Sequence, residues 1–282
     1  MNIRQVGKKI KSFGNVKKIT NAMQLVSAVK MKKAQERALE GRPYQEFLEN
    51  AIRNVVQNAE TTMSPLLINQ KATSNKKLLI VVTSNKGLCG SFNMNLIRSI
   101  MKEIKRENGF ITIGKKGTVL ISQLGGQVLA DFSSTDPLDN VSAVFRLALE
   151  EYLKGNYNEV VLVYNRFVST LRSNPTEKTI LPLVSEMSSE NNEKPEIYQI
   201  EPDPESVLDA LLKSFVEEQI RYAVIESDAG EHSARMIAMQ NATDNAENVI
   251  YNLTLLKNKL RQQSITYELL DMITAKESVE AS

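Results

Sequence analysis

Two kinds of hydrophobic spacing alternate along the chain. From Ala242 the apolar positions Ala242, Ala246, Val249, Leu253, Leu256 and Leu260 are spaced 4, 3, 4, 3 and 4 residues apart, and the register continues through Gln263 to Tyr267 and Leu270. Alternating threes and fours sustained this long predict a supercoiling helix. The chain begins with a similar seam, Ile3, Val6, Ile10 and Phe13, which then slips to Val16, Ile19, Met23 and Val26 as though one residue had dropped out of the repeat. Beyond Pro43 apolar spacing resumes at Tyr44, Phe47, Leu48, Ala51 and Val55, so the proline is expected to bend this first helix rather than end it. Between these ends the pattern changes. Lys77–Thr83 and Glu159–Tyr164 are continuous apolar runs of buried-strand length, Phe110–Ile113 is a shorter one, and Asn93–Glu107 and Val141–Leu153 have helical spacing.

Helix breakers follow the same division. Eight of the 12 glycines lie between Gly87 and Gly155, and no proline precedes Pro43 or follows Pro204. The expected organisation is an N-terminal helix over residues 1–60, an α/β domain over 76–195 and a C-terminal helix over 204–282. The fold class is therefore α/β: a long antiparallel coiled coil of the N- and C-terminal helices plus a small Rossmann-like α/β domain. At 1.5 Å per residue, helices of about 57 and 70 residues reach roughly 85 and 105 Å, farther than a globular domain of this mass extends.

Charge sharpens the picture of the ends. The formal net charge is only +2. Residues 1–40 nevertheless carry ten Lys/Arg against two Asp/Glu, and residues 196–282 carry seven against sixteen. Much of this opposite charge is expected to pair between the two helices. The lysines at Lys8, Lys9, Lys11, Lys17, Lys18, Lys30, Lys32 and Lys33 admit three readings: phosphate binding, a solvated face complementing the acidic helix, or a face for an acidic protein surface. Only Phe13 is there to stack on a base. The stretch Ile19–Val29 has no charged residue and places apolar groups on more than one face. One partner helix covers one stripe, so the second stripe requires another protein or another domain.

Candidate chemistry is sparse. The lone Cys89 excludes an internal disulfide, and the lone His232 excludes a pair of histidine metal ligands and weakens any catalytic triad. No metal site and no cofactor are expected. The loop Thr83-Ser84-Asn85-Lys86-Gly87-Leu88-Cys89-Gly90-Ser91-Phe92-Asn93 follows a strand and opens a helix, the place where α/β folds bind phosphates. It matches neither the GxxxxGK[ST] nor the GxGxxG pattern, and its glycines are expected to serve the turn instead. Cys89 is expected to be a small buried thiol, and His232 to make a surface hydrogen bond beside Glu231 and Arg235. No apolar run reaches the roughly 20 residues of a membrane span, and the first residues have no signal-peptide core.

Four segments resemble the gamma subunit of the F-type ATP synthases. They are Asn15–Lys33 (NVKKITNAMQLVSAVKMKK), the Gly-Leu-Cys-Gly loop within Thr83–Asn93, Glu231–Met239 (EHSARMIAM) with Asn245-Ala246, and Leu260–Asp271 (LRQQSITYELLD). The resemblance spans almost the whole chain. It implies a central rotor shaft without catalytic residues, turning inside a ring of alpha and beta subunits, with the epsilon subunit and the c-ring as further partners. It places Met23, Arg235, Arg261, Gln262, Thr266 and Glu268 at rotor–stator contacts, and Glu201 and Asp203 on the c-ring and epsilon side. It implies no nucleic-acid partner, no membrane span, and a location at the cytoplasmic face of a bacterial plasma membrane. Asn85-Lys86, Gln263 and Ala275-Lys276 depart from the family pattern, which has Asp-Arg, a small Ala and Gly-Ala at those places. A coiled-coil nucleic-acid-binding or scaffold protein using the basic first helix is the alternative reading, and an enzyme in the α/β domain is a third.

Overall fold

The structure is a computed structural model that describes residues 2–58, 66–67, 76–104, 107–134, 136–183 and 204–280. Helix α1 runs Ile3–Asn58 and passes through Pro43 without ending. There follow β1 (Lys77–Val82), α2 (Phe92–Ser99), α3 (Met101–Ile104), β2 (Gly109–Ile113), α4 (Lys115–Gln123), β3 (Gln127–Asp131), a 3-10 turn (Pro137–Asn140), α5 (Val141–Leu153), β4 (Glu159–Ser169), β5 (Arg172–Leu181) and the last helix, α6 (Pro204–Glu280). The chain forms two compact units, Met1–Ser27 with Met236–Ser282, and Ala28–Arg235. The division expected from the sequence follows whole elements, whereas these units divide both terminal helices.

Within the larger unit the sheet order is β3-β2-β1-β4-β5. Strands β1 to β4 are parallel, and β5 is antiparallel to β4. Alternation along the strands decides what each face packs on. Leu78, Ile80 and Val82 of β1, with Val160 and Leu162 of β4, join a cluster with Tyr152 of α5, Leu48 and Ile52 of α1, and Leu212 and Ile220 of α6. Leu79 and Val81, with Val161 and Val163, face the other way onto Leu96, Ile97, Ile100, Ile104 and Ile121. Helices cover both faces, which is why these strands read as unbroken apolar runs rather than alternating ones.

Three features differ from the sequence expectation. The helix expected over Asn93–Glu107 is two helices that meet at Ile100, whose ψ of 10° leaves the helical range and whose side chain is fully buried. The edge strands are additions. β3 is short and only half-buried, and β5 carries Pro175 and several charged residues, composition that an edge strand tolerates and a central one does not. The strand expected at Glu159–Tyr164 continues to Ser169 because β5 pairs with it as far as Arg172.

Within the smaller unit the helix segments run antiparallel, as expected. Thr20 pairs with Thr243 (2.7 Å between hydroxyl oxygens) and Lys17 with Glu247 (2.9 Å). The expected slip in the α1 seam does not occur. Among the covered positions, Ile3, Val6, Ile10, Phe13, Lys17, Thr20, Gln24 and Ser27 keep a heptad rhythm that never loses a residue, with Gly7, Gly14 and Met23 half-buried beside it. Small and polar side chains occupy the later seam positions, while the apolar residues that suggested the slip stand outside: Thr20 is 9% exposed, Ile19 60% and Val26 57%. The expectation that opposite charges pair across the coil is also corrected. Beyond Lys17–Glu247, Lys8, Lys9, Lys11 and Lys18 have no carboxylate within ion-pair distance among the described residues. The reason lies in α6, which has no Asp or Glu between Asn248 and Tyr267.

Candidate functional site

The smaller unit offers apolar surface that its own seam leaves uncovered. On α1 this surface is Val16, Ile19, Leu25 and Val26, all exposed, with Met23 half-buried at its border. Ser27 donates to the Met23 carbonyl at 2.7 Å, tying its hydroxyl into its own helix. On α6 the Thr20–Thr243 and Lys17–Glu247 pairs fix the register, and one-for-one continuation brings Ile3, the first residue of α1, opposite the neighbourhood of Arg261. Past that point α6 has no α1 residue beside it. Arg261 and Gln262 stand at that end and Thr266 and Glu268 beyond it; all four are exposed, among exposed Ile265, Leu269, Met272 and Ile273. Thr266 donates to the Gln262 carbonyl (3.0 Å), and Ser264 reaches the Glu268 carboxylate (3.3 Å). These four polar residues therefore lie together where the pairing with α1 runs out and just beyond it.

Arg235 lies elsewhere. It belongs to the larger unit and is 7% exposed. Its Nε donates to the Gly87 carbonyl (3.2 Å), and its Nη2 donates to the Lys86 carbonyl (3.1 Å) and to the Glu231 carboxylate (2.6 Å). Its Nη1 lies 3.2 Å from His232 Nδ1, and His232 Nε2 lies 3.3 Å from Asp228. His232 is thus enclosed between two neighbours on its own helix rather than bonded at the open surface. Burial pushes the Glu231 carboxyl above its ordinary range, and the adjoining Arg235 charge opposes that rise. Sequence reading picked out both the Thr83–Asn93 loop and Arg235, and the structure brings them together.

That meeting explains why the loop is no phosphate cradle. The crevice between the carboxyl ends of β1 and β4, where neighbouring strands run on in opposite directions across the sheet, is the usual ligand position in such folds. Here α6 occupies it. A Cβ built on Gly230 would lie 3.2 Å from the Phe92 ring and 3.8 Å from the Asn165 carbonyl. The loop also turns the Lys86 and Gly87 carbonyls toward α6, where the Arg235 guanidinium already holds them. A phosphate requires the opposite polarity. The back of the loop is fastened by Asn93, whose amide donates to Ser84 Oγ (2.7 Å) and to Cys89 Sγ (3.4 Å) while its oxygen accepts from the Ser84 N–H (3.1 Å). Cys89 is buried, as expected. Gly90 adopts φ +59°, and Leu88 does so too, at +64°, which sequence reading did not anticipate.

Glu201 and Asp203 lie outside the described residues. Among the described residues no group of three His, Cys, Asp or Glu is placed to hold a metal ion, and no helix is long and apolar enough to cross a membrane.

A protein-family model described as ATP synthase matches residues 2–279. The chain is 38% identical over 286 residues to the ATP synthase gamma chain of Paracidovorax citrulli, covering 98% of this chain and 99% of that one. It is 34% identical over 291 residues to the ATP synthase gamma chain of Akkermansia muciniphila, covering 99% of each. Its fold is similar to a chain in the Euglena gracilis mitochondrial ATP synthase structure described as OSCP/F1/c-ring, at 17% identity and a TM-score of 0.71, covering 99% of this chain and 95% of that one. A chain from the Tetrahymena thermophila mitochondrial ATP synthase central stalk and c-ring is 25% identical with a TM-score of 0.58, over 79% of this chain and 99% of that one. These matches leave the nucleic-acid reading without support. With a family model and bacterial relatives that match over nearly the full length, the chain belongs to the ATP synthase gamma chain family.

Proposed function

We propose that this chain is the central rotor shaft of an F-type ATP synthase, coupling ion-driven rotation of a c-ring to the conformational cycle of catalytic sites on beta subunits. One observation carries the reading most directly: the smaller unit keeps an unbroken helix–helix seam and still leaves apolar residues on α1 and α6 uncovered. Surface of that kind calls for a surrounding partner. A ring of alpha and beta subunits supplies one on all sides. The family's name and the central-stalk title of one solved relative support the same assignment.

The chain contributes no catalytic residue in this reading. Its two helices differ in every face they present, so a ring of similar sites meets a different surface at each position. Such differential contact is what biases otherwise equivalent sites toward different states. The uncharged Ile19–Val29 stretch and the apolar end of α6 suit a surface that turns, because few ion pairs form and break there. Met23 lies at the edge of that surface, and Arg261, Gln262, Thr266 and Glu268 supply hydrogen bonds from the unpaired end. Glu201 and Asp203 serve the side facing the c-ring and the epsilon subunit. Within that complex this chain lies peripherally, on the cytoplasmic face of a bacterial plasma membrane.

Reconstitution tests this. Alpha and beta subunits lacking a gamma chain are mixed with this one, and azide-sensitive ATP hydrolysis is measured. Restored hydrolysis that co-purifies with all three chains is the expected result. A chain that associates with neither subunit and restores nothing would overturn the proposal.

A further inference from the structure

Arg235 spends its guanidinium in an unusual way. A buried arginine needs a carboxylate, and Glu231, one helical turn earlier, meets that need at 2.6 Å. Two more of its N–H groups reach out of the helix to the Lys86 and Gly87 carbonyls, 149 and 148 residues away in sequence. The Lys86 carbonyl also accepts from Ser84 Oγ at 2.7 Å, so it is gripped from both sides. The residue after Gly87 is Leu88. It is a branched side chain at φ +64°, a region such residues rarely adopt, and it is 61% exposed. A strained backbone of this kind persists only where its surroundings over-determine it. The surroundings here are Arg235 on one side and the Ser84–Asn93–Cys89 network on the other.

We infer that Arg235 is a positioning residue: it fastens the Lys86–Leu88 tip to α6 and holds the Leu88 side chain outward, so that tip and helix move as one body. The resemblance to rotor shafts implies that Arg235 itself touches the stator, but a side chain this buried acts through what it holds. Lys86 and Leu88, both exposed, are the groups that it presents. The consequence for turnover rests on the rotor reading; the fastening does not.

The competing account makes Arg235 only the counter-ion of Glu231. The two separate in Arg235→Lys, because an ammonium on a flexible stem replaces the ion pair but not a planar fork that spans two carbonyls. Amide hydrogen exchange in the full-length chain is the readout. Arg235→Lys and Arg235→Gln should each raise exchange at Ser84 and Phe92, whose N–H groups are bonded within the loop to Asn93 Oδ1 and the Cys89 carbonyl, by about tenfold or more, the expected effect of loosening a loop held by charge-assisted hydrogen bonds, with the β4 amides unchanged. Exchange at Ser84 and Phe92 equal to wild type in Arg235→Lys would overturn the inference. Should Arg235→Gln lose the whole fold, the lysine variant still decides, since it retains charge and the Glu231 pair.

A second measurement uses the alpha–beta–gamma complex. Leu88→Ala and Arg235→Lys should each lower ATP turnover, and the double variant should fall no further than the worse single one. Losses that multiply would mean that Arg235 does not act through the tip. If the wild-type chain itself restores no turnover, the rotor reading fails, and the exchange experiment still judges the fastening.

Discussion

The two compact units differ in how completely they bury their apolar residues. In the larger one, β1 is Lys-Leu-Leu-Ile-Val-Val, and every residue after the lysine is buried between helices. In the smaller one, the fully covered α1 positions are Val6, Thr20 and Ser27, while Ile19, Leu25 and Val26 face outward. A domain that must hold itself together hides its apolar groups. The coil does so only in part: Val6 and Ala246 are covered, but from Lys17 to Ser27 the α1 seam closes with Thr20 and Ser27 and leaves Ile19, Leu25 and Val26 on the outside, where they add little to its own stability. This inversion is the strongest structural sign that the coil is built to be surrounded.

The widest separation between the units should appear in stability. Phe110 is fully buried on one face of the sheet, and Phe110→Ala should cost about 3–5 kcal/mol, read as a lowered urea midpoint. Ile19→Ala and Val26→Ala should each move the same midpoint by less than about 0.5 kcal/mol, because exposed side chains lose little on truncation. In the reconstituted complex the order should reverse, with the two coil variants lowering ATP turnover at near-wild-type stability. Coil variants as destabilising as Phe110→Ala would show that these residues are ordinary core, and the inversion would be lost.

A smaller effect probes the seam itself. Thr20 and Thr243 share a hydroxyl contact of 2.7 Å in which one donates to the other, and the hydroxyl that accepts is free to donate within its own helix, Thr20 to the Lys17 carbonyl or Thr243 to the Met239 carbonyl. Thr20→Val removes one partner and should cost about 1 kcal/mol, whereas Thr20→Val with Thr243→Val removes both polar groups and should come out nearer to neutral. Additive losses in chemical denaturation would mean that the two hydroxyls do not act as a pair.

That seam also marks where sequence reading succeeds and where it stops. Runs of β-branched residues announce β1, β2 and β4 because both faces of the sheet are covered. The α6 seam is legible because Ala246 and Leu253 are apolar and covered. On α1 the same rule misleads: following the apolar residues from Phe13 leads to Val16 and Ile19, one position off the true register held by Lys17 and Thr20. Periodicity assumes that apolar means buried, and a surface made for a partner violates that assumption. Arg235 and the Gly87–Gly90 loop are each recognisable as motifs. Their contact is not, because it joins residues nearly 150 positions apart through main-chain carbonyls that carry no sequence signal. Leu88 at positive φ is hidden for the same reason, since the loop already has glycines to which the strain is more naturally assigned.

The least of the expected effects concerns pH, and it belongs to the larger unit alone. Glu231 is pushed upward by burial, first and foremost, and more weakly by Asp228, while Arg235 and His232 pull it down. The net direction is a folded-state value above the ordinary 4.5. A carboxyl raised in this way holds its proton in the folded chain at a pH where the unfolded chain has released it. The folded state then binds more protons, so stability falls as pH rises from 4.5 through the folded value, and levels off above it. Glu231→Gln keeps the shape and removes the titration, and contributions common to both chains cancel in their difference. Relative to the glutamine variant, the wild type should therefore gain stability as the pH is lowered toward 4.5, measured as the difference between their urea midpoints. A wild type that instead loses ground on acidification would mean that pairing with Arg235 outweighs burial. The guanidinium would then be committed mainly to Glu231, and its hold on the Lys86 and Gly87 carbonyls would be the secondary contact.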